Sequence, residues 1–567
     1  MPLPRLPNAV VRAAAAIALL PLLACGHAAP GAEVPAPAAA TATEITPADL
    51  KTRLYIYADD SMEGRLSGTV GDVKATDYIA AEAERLGLTP AGDNGSFFQT
   101  VPLVRRMVTS DSRLSVEGVP LAIWTDVLPR DQGKGARALD GVQTVFGGTV
   151  GDSSAPIISP DEAAGKLVVI SAAPQPGGAP TGAVNRAAVT SQFATAAGIA
   201  VTTLDAIAAS ERASLREAGA QLAVSDAKPT PTFFYVTSKA ASTLLGEPVA
   251  EAKPGDPGAT VHGNLHFADM PAPAPARNVV AILPGTDPKL GNELVAIGAH
   301  NDHIGIQPLA EDHDSLRAWN TVMRPEGIGS SPGTPTVAQT TRIRAMLDSL
   351  RKLRPPRPDS IANGADDDGS GTVTVLEIAE AMAQGPAHPR RSVLFVWHTG
   401  EELGLLGSDW FTRHPTVTRD SIVAQLNIDM VGRGDATDIQ GGGPGYLQLI
   451  GSRRLSTELG DIVERVNREG KHGFLFDYTY DADGEPHNYY CRSDHYMYAR
   501  FGIPITFFTT GAHMDYHEVT DEPQYIDYAK MARVAGLIQD VALAVADLDH
   551  AVVVDKPKPD PNGGCRQ

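Results

Sequence analysis

Apolar and polar positions follow two different periods in the C-terminal half of the chain. From about residue 273 onward, short apolar runs are separated by longer segments in which apolar residues recur at helical spacing. The apolar runs predict strands over 278–283, 294–299, 392–397, 422–428 and 503–508. The longer segments predict helices over 372–383, 456–468 and 528–548. This alternation predicts an α/β fold with a mixed, mostly parallel sheet and helices on both faces.

The preceding residues divide into two parts. Residues 44–109 are mainly helical in pattern, and Thr46 followed by Pro47 and Asp49 has the form of a helix start. Residues 110–272 instead show short alternating strands with many glycines and prolines. We therefore expect a helical N-terminal part of the main domain at 44–109, a smaller β-rich domain inserted at 110–272, and the main domain itself at 273–550.

Two further segments depart from a compact sheet. Residues 305–361 form a long insertion with one predicted helix over 340–353 and a proline-rich end. A long excursion of this kind is typical of a lid or a loop that shapes a binding site. Residues 551–567 are proline-rich, and we expect a disordered tail there.

The first residues have the pattern of an export signal. Arg5 and Arg12 precede an apolar stretch that is too short to span a membrane and that ends at Ala24 and Cys25. We expect a signal peptide at 1–24, a lipid-modified Cys25 as in bacterial lipoproteins, and a disordered stalk at 25–43. The alternative is a plain signal peptide cut near Ala28. The protein is thus expected to be exported, either anchored in a membrane and facing the periplasm or free in the periplasm or medium.

The net charge limits the classes of binding partner, and the cysteine content limits the number of disulfides. The formal net charge of −20 argues against nucleic acid and anionic lipid surfaces, which attract basic faces. Apart from Cys25, the chain has two cysteines, Cys491 and Cys565, so at most one disulfide can form between them. Whether they pair, and whether the chain forms oligomers, stays open at this point.

Five segments that end or follow apolar runs carry side chains able to bind metal. In open α/β sheets, ligands bind at the carboxyl ends of the strands, where most of these segments lie. The five candidate ligands are His300, Asp366, Glu402, Asp429 and His517. Each alone has a plain structural interpretation, such as a buried histidine or an acid at a helix start.

Together, two imidazoles and three carboxylates suit two zinc ions that share one bridging carboxylate. Oxygen and imidazole ligands are typical of hydrolytic zinc sites, whereas structural sites more often use thiolates. Three carboxylates against two divalent ions leave one positive charge, which a bound hydroxide would neutralise. Asp302 is expected to accept the second ring proton of His300, and Glu401 is the candidate general base.

These motifs resemble the co-catalytic di-zinc aminopeptidases, a family of clan MH exopeptidases. The resemblance is carried by residues 298–303, 363–371, 401–408, 427–432, 492–496 and 516–521. It implies two Zn²⁺ ions per chain, with Asp366 bridging them, His300 and Asp429 completing one ion, and Glu402 and His517 the other. It also implies that Glu401 moves the proton and that the peptide bond between Asp366 and Asp367 is cis. Residues 110–272 resemble the protease-associated domain found in relatives.

The resemblance implies a zinc-dependent exopeptidase, with an aminopeptidase that hydrolyses the N-terminal residues of peptides as the leading hypothesis. A metal-bridged hydroxide would attack the peptide bond, and Glu401 would act as general base. A carboxypeptidase or dipeptidase of the same fold is the alternative, for which Arg492 is the candidate carboxylate-binding residue. A glutaminyl cyclase would need fewer metal ligands. A non-catalytic, receptor-like ectodomain would be expected to lack ligands or the base.

Overall fold

The computed structural model describes most of the chain from residue 41 onward. The described residues are 41–130, 136–151, 154–173, 184–207, 212, 215–216, 219–223, 229–324, 333–386, 388–439 and 441–567. The predicted signal peptide, the lipid site at Cys25 and nearly all of the predicted stalk lie outside these ranges. In the part of the chain that is described, the helices are too short or too polar to cross a bilayer.

A nine-stranded mixed sheet forms the centre of the main domain. Its strands, in spatial order, are Thr89–Pro90, Ala276–Leu283, Ser392–His398, Leu294–His300, Ile422–Ile428, Ile505–Thr509, Tyr446–Ile450 and Leu475–Asp477, and Phe98–Val101 also pairs with Ala276–Leu283. The four central strands are mutually parallel, while the strands on either side of them run antiparallel to this group. The predicted α/β fold is therefore confirmed, with strand ends shifted by one or two residues.

Helices cover both faces of this sheet. The main-domain helices are Pro47–Tyr57, Val70–Arg85, His313–Met323, Val337–Arg351, Gly371–Gln384, Leu406–Arg413, Thr457–Glu469, His495–Ala499 and Tyr528–Ala546. Alternate residues of one strand enter different cores: Val393 and Phe395 pack with the helix Gly371–Gln384, whereas Leu394 and Val396 pack with Phe411 and Tyr498. Successive side chains of a strand point to opposite faces of the sheet, and both faces are covered by helices. The central strands are therefore continuous apolar runs.

Residues 103–271 form sheets of their own. An eight-stranded sheet contains Val119–Leu121, Leu114–Val116, Pro257–His262, Val142–Val150, Leu167–Ala172, Gly198–Val201, Thr232–Val236 and Val127–Arg130. A three-stranded sheet contains Gly219–Leu222, Leu103–Val108 and Phe267–Pro271. The short helices here are Pro160–Ala163, Arg186–Gln192 and Ser238–Leu245. Two apolar cores lie on opposite faces of the larger sheet. Assignment of this β-rich part to the protease-associated domains stays a prediction.

The insertion at 305–361 has secondary structure and packs on the main domain. Its strands Ile306–Asp312 and Pro358–Ile361 pair antiparallel. The predicted helix over 340–353 is present as Val337–Arg351, but the helix His313–Met323 was missed because its first residues are polar. In the helix His313–Met323, Arg317 contacts Asp515 at 2.5 Å, and Asn320 donates to the carbonyl of Met514 at 3.0 Å. The insertion thus supports the loop that carries His517.

The prediction of a disordered tail at 551–567 is wrong, because this segment packs on the main domain. Cys565 forms a disulfide with Cys491. Arg500 donates to the carbonyl of Pro561 at 2.8 Å, and the side chain of Gln567 accepts from the backbone N–H of Tyr490 at 2.9 Å. The proline-rich pattern failed as a predictor because a covalent bond and a few polar contacts, and not periodic apolar residues, hold this segment.

Loss of this disulfide should destabilise the main domain. In Cys565→Ser, the free energy of unfolding should fall by about 2–4 kcal/mol, because the bond closes a long loop in the unfolded chain. Urea unfolding followed by tryptophan fluorescence measures the change, and Cys491→Ser should give the same value since it removes the same bond. Two free thiols in the oxidised wild-type protein would contradict the pairing.

Candidate metal centre

Three of the candidate side chains meet at the carboxyl ends of neighbouring parallel strands. His300 is the last residue of the strand Leu294–His300, Glu402 follows the strand that ends at His398, and Asp429 directly follows the strand that ends at Ile428. His517 reaches the same place from the loop after the strand Ile505–Thr509. These four predicted ligands are brought together by the fold.

Asp367 lies between the two histidines. One of its carboxylate oxygens, Oδ1, is 3.2 Å from Nε2 of His300, and the other, Oδ2, is 3.0 Å from Nε2 of His517. Nε2 of His300 also lies 3.7 Å from Asp429, and Nε2 of His517 lies 2.9 Å from Glu402. The arrangement therefore has two imidazole–carboxylate groups, one on each side of the Asp367 carboxylate.

The predicted bridging residue, Asp366, is directed elsewhere. Its Oδ1 accepts from the backbone N–H of Gly432 at 2.7 Å, and its Oδ2 lies 3.2 Å from Nε2 of His513. The carboxylate that lies between the two histidines is that of Asp367, and the cis peptide bond lies between Asp367 and Asp368 instead of one residue earlier. The prediction failed because three consecutive acids have the same side chain and differ only in the direction that the backbone gives them.

Asp368 is used to hold backbone. Its two oxygens accept from the N–H groups of His300, Gly371 and Met430 at distances of 3.1, 2.9 and 3.1 Å. These contacts join the end of one strand, the start of the helix Gly371–Gln384 and the segment after Asp429. Although Asp368 lies close to His300 and Asp429, three backbone N–H groups already donate to its two oxygens. Of the three consecutive acids, Asp367 alone is placed between the two histidines.

The two predicted catalytic side chains flank this arrangement. Nδ1 of His300 lies 3.1 Å from the backbone oxygen of Asp302 and 3.7 Å from its carboxylate. The same carboxylate accepts from the backbone N–H of Glu401 at 3.1 Å. Glu401 lines a cavity of about 50 Å³ together with Asp367 and Asp429. Asp302 thus contacts both the ring of His300 and the loop that carries Glu401.

The structure adds His303 to the predicted set. Its Nδ1 lies 2.7 Å from Glu402, and its ring stands edge-on to that of His517 with the ring centroids 5.6 Å apart. His303 is in the same short motif as His300, so its position was visible in the sequence. Its role was not, because its contacts are with residues about a hundred or more positions away.

Burial and mutual contacts shift the pKa values of these groups in opposite directions. Burial alone would raise the pKa of Asp367, but contacts with His300 and His517 bring it well below the usual range. Burial raises the pKa of Glu401 well above its usual range, and the neighbouring charges of Glu402 and Asp429 add to that rise. For His517, burial opposes protonation, but Asp367 and Glu402 raise the pKa to about 10.

These side chains are better placed to bind a cation than to form hydrogen bonds with one another. Asp367 Oδ2 and His517 Nε2 are 3.0 Å apart, yet neither atom has a hydrogen-bond partner among the described residues, and the same holds for Nε2 of His303. Lone pairs that converge without hydrogen-bond geometry are typical of metal ligands. Buried carboxylates are also costly unless paired with positive charge. The donor set of oxygens and imidazoles without thiolates matches zinc at a hydrolytic site.

The chain is similar to known peptidases over part of its length. Residues 328–542 match the model of Peptidase family M28. This part of the chain is similar to peptidase family M28. The M28 stretch includes Asp367, Glu401, Glu402, Asp429 and His517, whereas the segment with His300 and Asp302 precedes it.

Curated relatives match part of the chain. Leucine aminopeptidase 1 of Ajellomyces capsulatus (strain NAm1 / WU24) is 31% identical over 241 residues, which is 38% of this chain and 56% of the relative. Leucine aminopeptidase 1 of Aspergillus niger is 31% identical over 223 residues, or 37% of this chain and 52% of the relative. The chain therefore spans little more than half the length of these relatives.

Two solved structures match over most of the chain at low identity. The aminopeptidase from Aneurinibacillus sp. strain AM-1 matches with a TM-score of 0.49 and 15% identity, covering 91% of this chain and 97% of that one. BSAP, a zinc aminopeptidase from Bacillus subtilis, matches with a TM-score of 0.47 and 14% identity, covering 91% and 99%.

Single substitutions of Asp366 and Asp367 test which of the two carboxylates binds zinc. The structure favours Asp367, whereas the sequence motif favoured Asp366. Asp367→Asn should lower the zinc bound per chain by at least one equivalent, because it removes one charge and one ligand oxygen from between the histidines. Asp366→Asn is the matched control and should bind as much zinc as the wild type. Zinc content after dialysis, determined by plasma mass spectrometry, gives both values. The reverse result would restore Asp366 as the bridging ligand.

Proposed function

We propose that the protein is a zinc-dependent aminopeptidase that removes N-terminal residues from peptides. The observation that carries this proposal is the Asp367 carboxylate between two imidazole–carboxylate groups, with Glu401 on the wall of the same cavity. The match to peptidase family M28 supports peptide hydrolysis, and the names of the curated relatives support action at the N-terminus.

Two zinc ions per chain fit the donors. His300, Asp367 and Asp429 would hold one ion, and Asp367, Glu402 and His517 would hold the other, with His303 beside the second group. When bound, zinc polarises the substrate carbonyl and makes water a nucleophile at neutral pH. The bridging role assigned earlier to Asp366 passes to Asp367.

Glu401 is the proposed proton carrier. Its carboxylate shares the cavity with Asp367 and Asp429, and its backbone is held by Asp302. It would take a proton from the attacking water and deliver it to the leaving amine, so that the amine departs neutral. Asp302 would act through His300, since its contacts with the ring at Nδ1 leave Nε2 facing Asp367 and Asp429.

Neighbouring side chains hold these groups in place. Ser493 donates to Asp429 at 2.7 Å, which directs that carboxylate toward His300. Asp521 accepts from the backbone N–H groups of Asp366 and Asp367 at 3.0 and 3.1 Å, which fixes the turn that presents Asp367. These contacts hold the carboxylates of Asp429 and Asp367 in position.

One side chain favours a carboxypeptidase or dipeptidase as the second candidate. Arg492 lines the same cavity, and its guanidinium lies 3.5 Å from the hydroxyl of Tyr516. A guanidinium there could bind a terminal carboxylate. Against it stand the curated relatives, which are named leucine aminopeptidases.

We also propose that the protein acts outside the cytoplasm. The disulfide between Cys491 and Cys565 supports this, because such bonds persist mainly in oxidising compartments. The export pattern of the first residues points the same way, with a lipid on Cys25 as the proposed anchor. Peptides are the proposed substrates and zinc the proposed cofactor.

Removal of the base should separate turnover from metal binding. Glu401→Gln should lower kcat by at least about 100-fold, because proton transfer is lost, while zinc content stays at the wild-type level. Glu402→Gln is the matched control, which should lose zinc together with activity. Steady-state kinetics and zinc analysis on the same samples test this. Full activity in Glu401→Gln would show that another group moves the proton.

A small substrate panel distinguishes the two candidate exopeptidases. The protein should cleave leucyl peptides with a free N-terminus, whether the C-terminus is free or amidated, and should not cleave their N-acetylated forms. The chelator 1,10-phenanthroline should abolish cleavage, and added zinc should restore it. Product analysis by mass spectrometry gives the result. Cleavage of acetylated peptides only when their C-terminus is free would identify a carboxypeptidase instead.

A further inference from the structure

A second group of donor side chains lies outside the proposed catalytic centre. His313, Asp359 and Glu522 each offer a ligand atom, and these atoms lie within 4.8 Å of one another. His313 begins the insertion helix His313–Met323, Asp359 lies in the strand Pro358–Ile361, and Glu522 follows the His517 loop. All three line a cavity of about 330 Å³. Neither the sequence motifs nor the mechanism uses them.

The distances bring one imidazole and several carboxylates to a common point. Nε2 of His313 lies 3.0 Å from Asp359 and 3.9 Å from Glu522. Asn363 joins the group, because its Nδ2 lies 2.8 Å from Asp60 and 3.4 Å from Glu522. Asp60 and Asn363 line the same cavity. One imidazole, three carboxylates and one amide thus share this site.

Two of these side chains are buried with polar atoms that lack partners. His313 is 4% exposed and Asn363 is 2% exposed. Nδ1 of His313 and Oδ1 of Asn363 have no hydrogen-bond partner among the described residues. A buried polar atom without a partner is costly and calls for water or an ion that is bound nearby. Asn363 directs its Nδ2 toward Asp60 and Glu522, so its amide helps to hold these two carboxylates beside His313.

The charge of the cavity also favours a cation. Burial, together with the negative charges of Asp359 and Asp60, raises the pKa of Glu522 to about 7. Arg357 lines the cavity as well, but its guanidinium is paired with Asp314 at 3.0 Å. The carboxylates of Asp60, Asp359 and Glu522 are therefore left without a dedicated cationic partner inside the cavity, apart from His313.

We propose that His313, Asp359 and Glu522 bind a third divalent cation of the zinc or manganese class, with Asp60 as a further oxygen donor. An imidazole among the ligands favours such ions over Ca²⁺ or Mg²⁺, which prefer oxygen alone. The carboxylates and the absence of thiolates in this group exclude a soft ion such as Cu(I). The site depends on its own residues and not on the proposed peptidase activity.

A cation here would join three parts of the chain that support the catalytic centre. Asp60 belongs to the turn after the first helix, His313 and Asp359 belong to the insertion, and Glu522 follows Asp521. Asp521 holds the turn that presents Asp367. The ion would therefore stabilise the insertion and the His517 loop against each other.

The test uses the full chain with the first centre disabled. In a His300→Ala/His517→Ala background, isothermal titration with Zn²⁺ should still show one site per chain, and its affinity should fall at least tenfold when His313→Ala is added. Asp359→Asn, a milder change at a half-buried strand position, should have the same effect. His472→Ala is the matched control, since its ring contacts Asp540 at 2.9 Å outside any described three-donor group.

Thermal unfolding provides the second measurement. Zn²⁺ should raise the unfolding midpoint of the double-variant background and of its His472→Ala derivative, but not that of its His313→Ala or Asp359→Asn derivatives. The proposal is overturned if the background binds no zinc, or if binding and stabilisation persist after both His313→Ala and Asp359→Asn. Neither result depends on catalysis, so failure here leaves the proposed aminopeptidase activity to its own test.

Discussion

The concentration of buried negative charge around Asp367 is the constraint on which the site depends. Asp367, Glu402 and Asp429 lie close together among the imidazoles of His300 and His517, and Asp367 is 2% exposed. Carboxylates in such a place repel one another and lose their hydration, which costs several kcal/mol for each uncompensated charge. The histidines alone relieve part of this cost. A pair of divalent cations would relieve it fully and would at the same time supply the chemistry of a hydrolase.

The neighbouring acids hold backbone in place, whereas the acids that face the cavity are the proposed metal ligands. Asp368, Asp366 and Asp521 direct their oxygens to backbone N–H groups of the surrounding loops. Hydrogen bonds from backbone N–H to a carboxylate are stronger than those between neutral groups. They join the loops after three strands to the turn that carries Asp367. The insertion adds to this support, because Arg317 and Asn320 contact the loop that holds His517.

Much of the fold and part of the site could be predicted from the sequence because both follow general rules. Continuous apolar runs located the central strands, and the position of His300, Glu402 and Asp429 after such runs placed them at one edge of the sheet. The choice between Asp366 and Asp367 could not be made in this way. Both are aspartates in one turn, and only the backbone direction decides which carboxylate faces the histidines.

Other features depend on contacts between residues that are far apart in the chain. His303 meets Glu402 and His513 meets Asp366, and no local pattern reports such pairs. The helix His313–Met323 begins with polar residues, His313 and Asp314, that are buried in the structure, so its sequence pattern resembles a loop. The C-terminal segment is held by Cys565, whose partner Cys491 could be named as a candidate but not as the bonded residue. Tertiary contacts override local composition in each case.

The most direct test of the account is anomalous diffraction from crystals of the zinc-loaded protein, measured on both sides of the zinc absorption edge. Two anomalous peaks should lie within bonding distance of the Asp367 carboxylate, one beside His300 and Asp429 and the other beside His517 and Glu402. A single peak there, or two peaks that contact Asp366 in place of Asp367, would contradict the account.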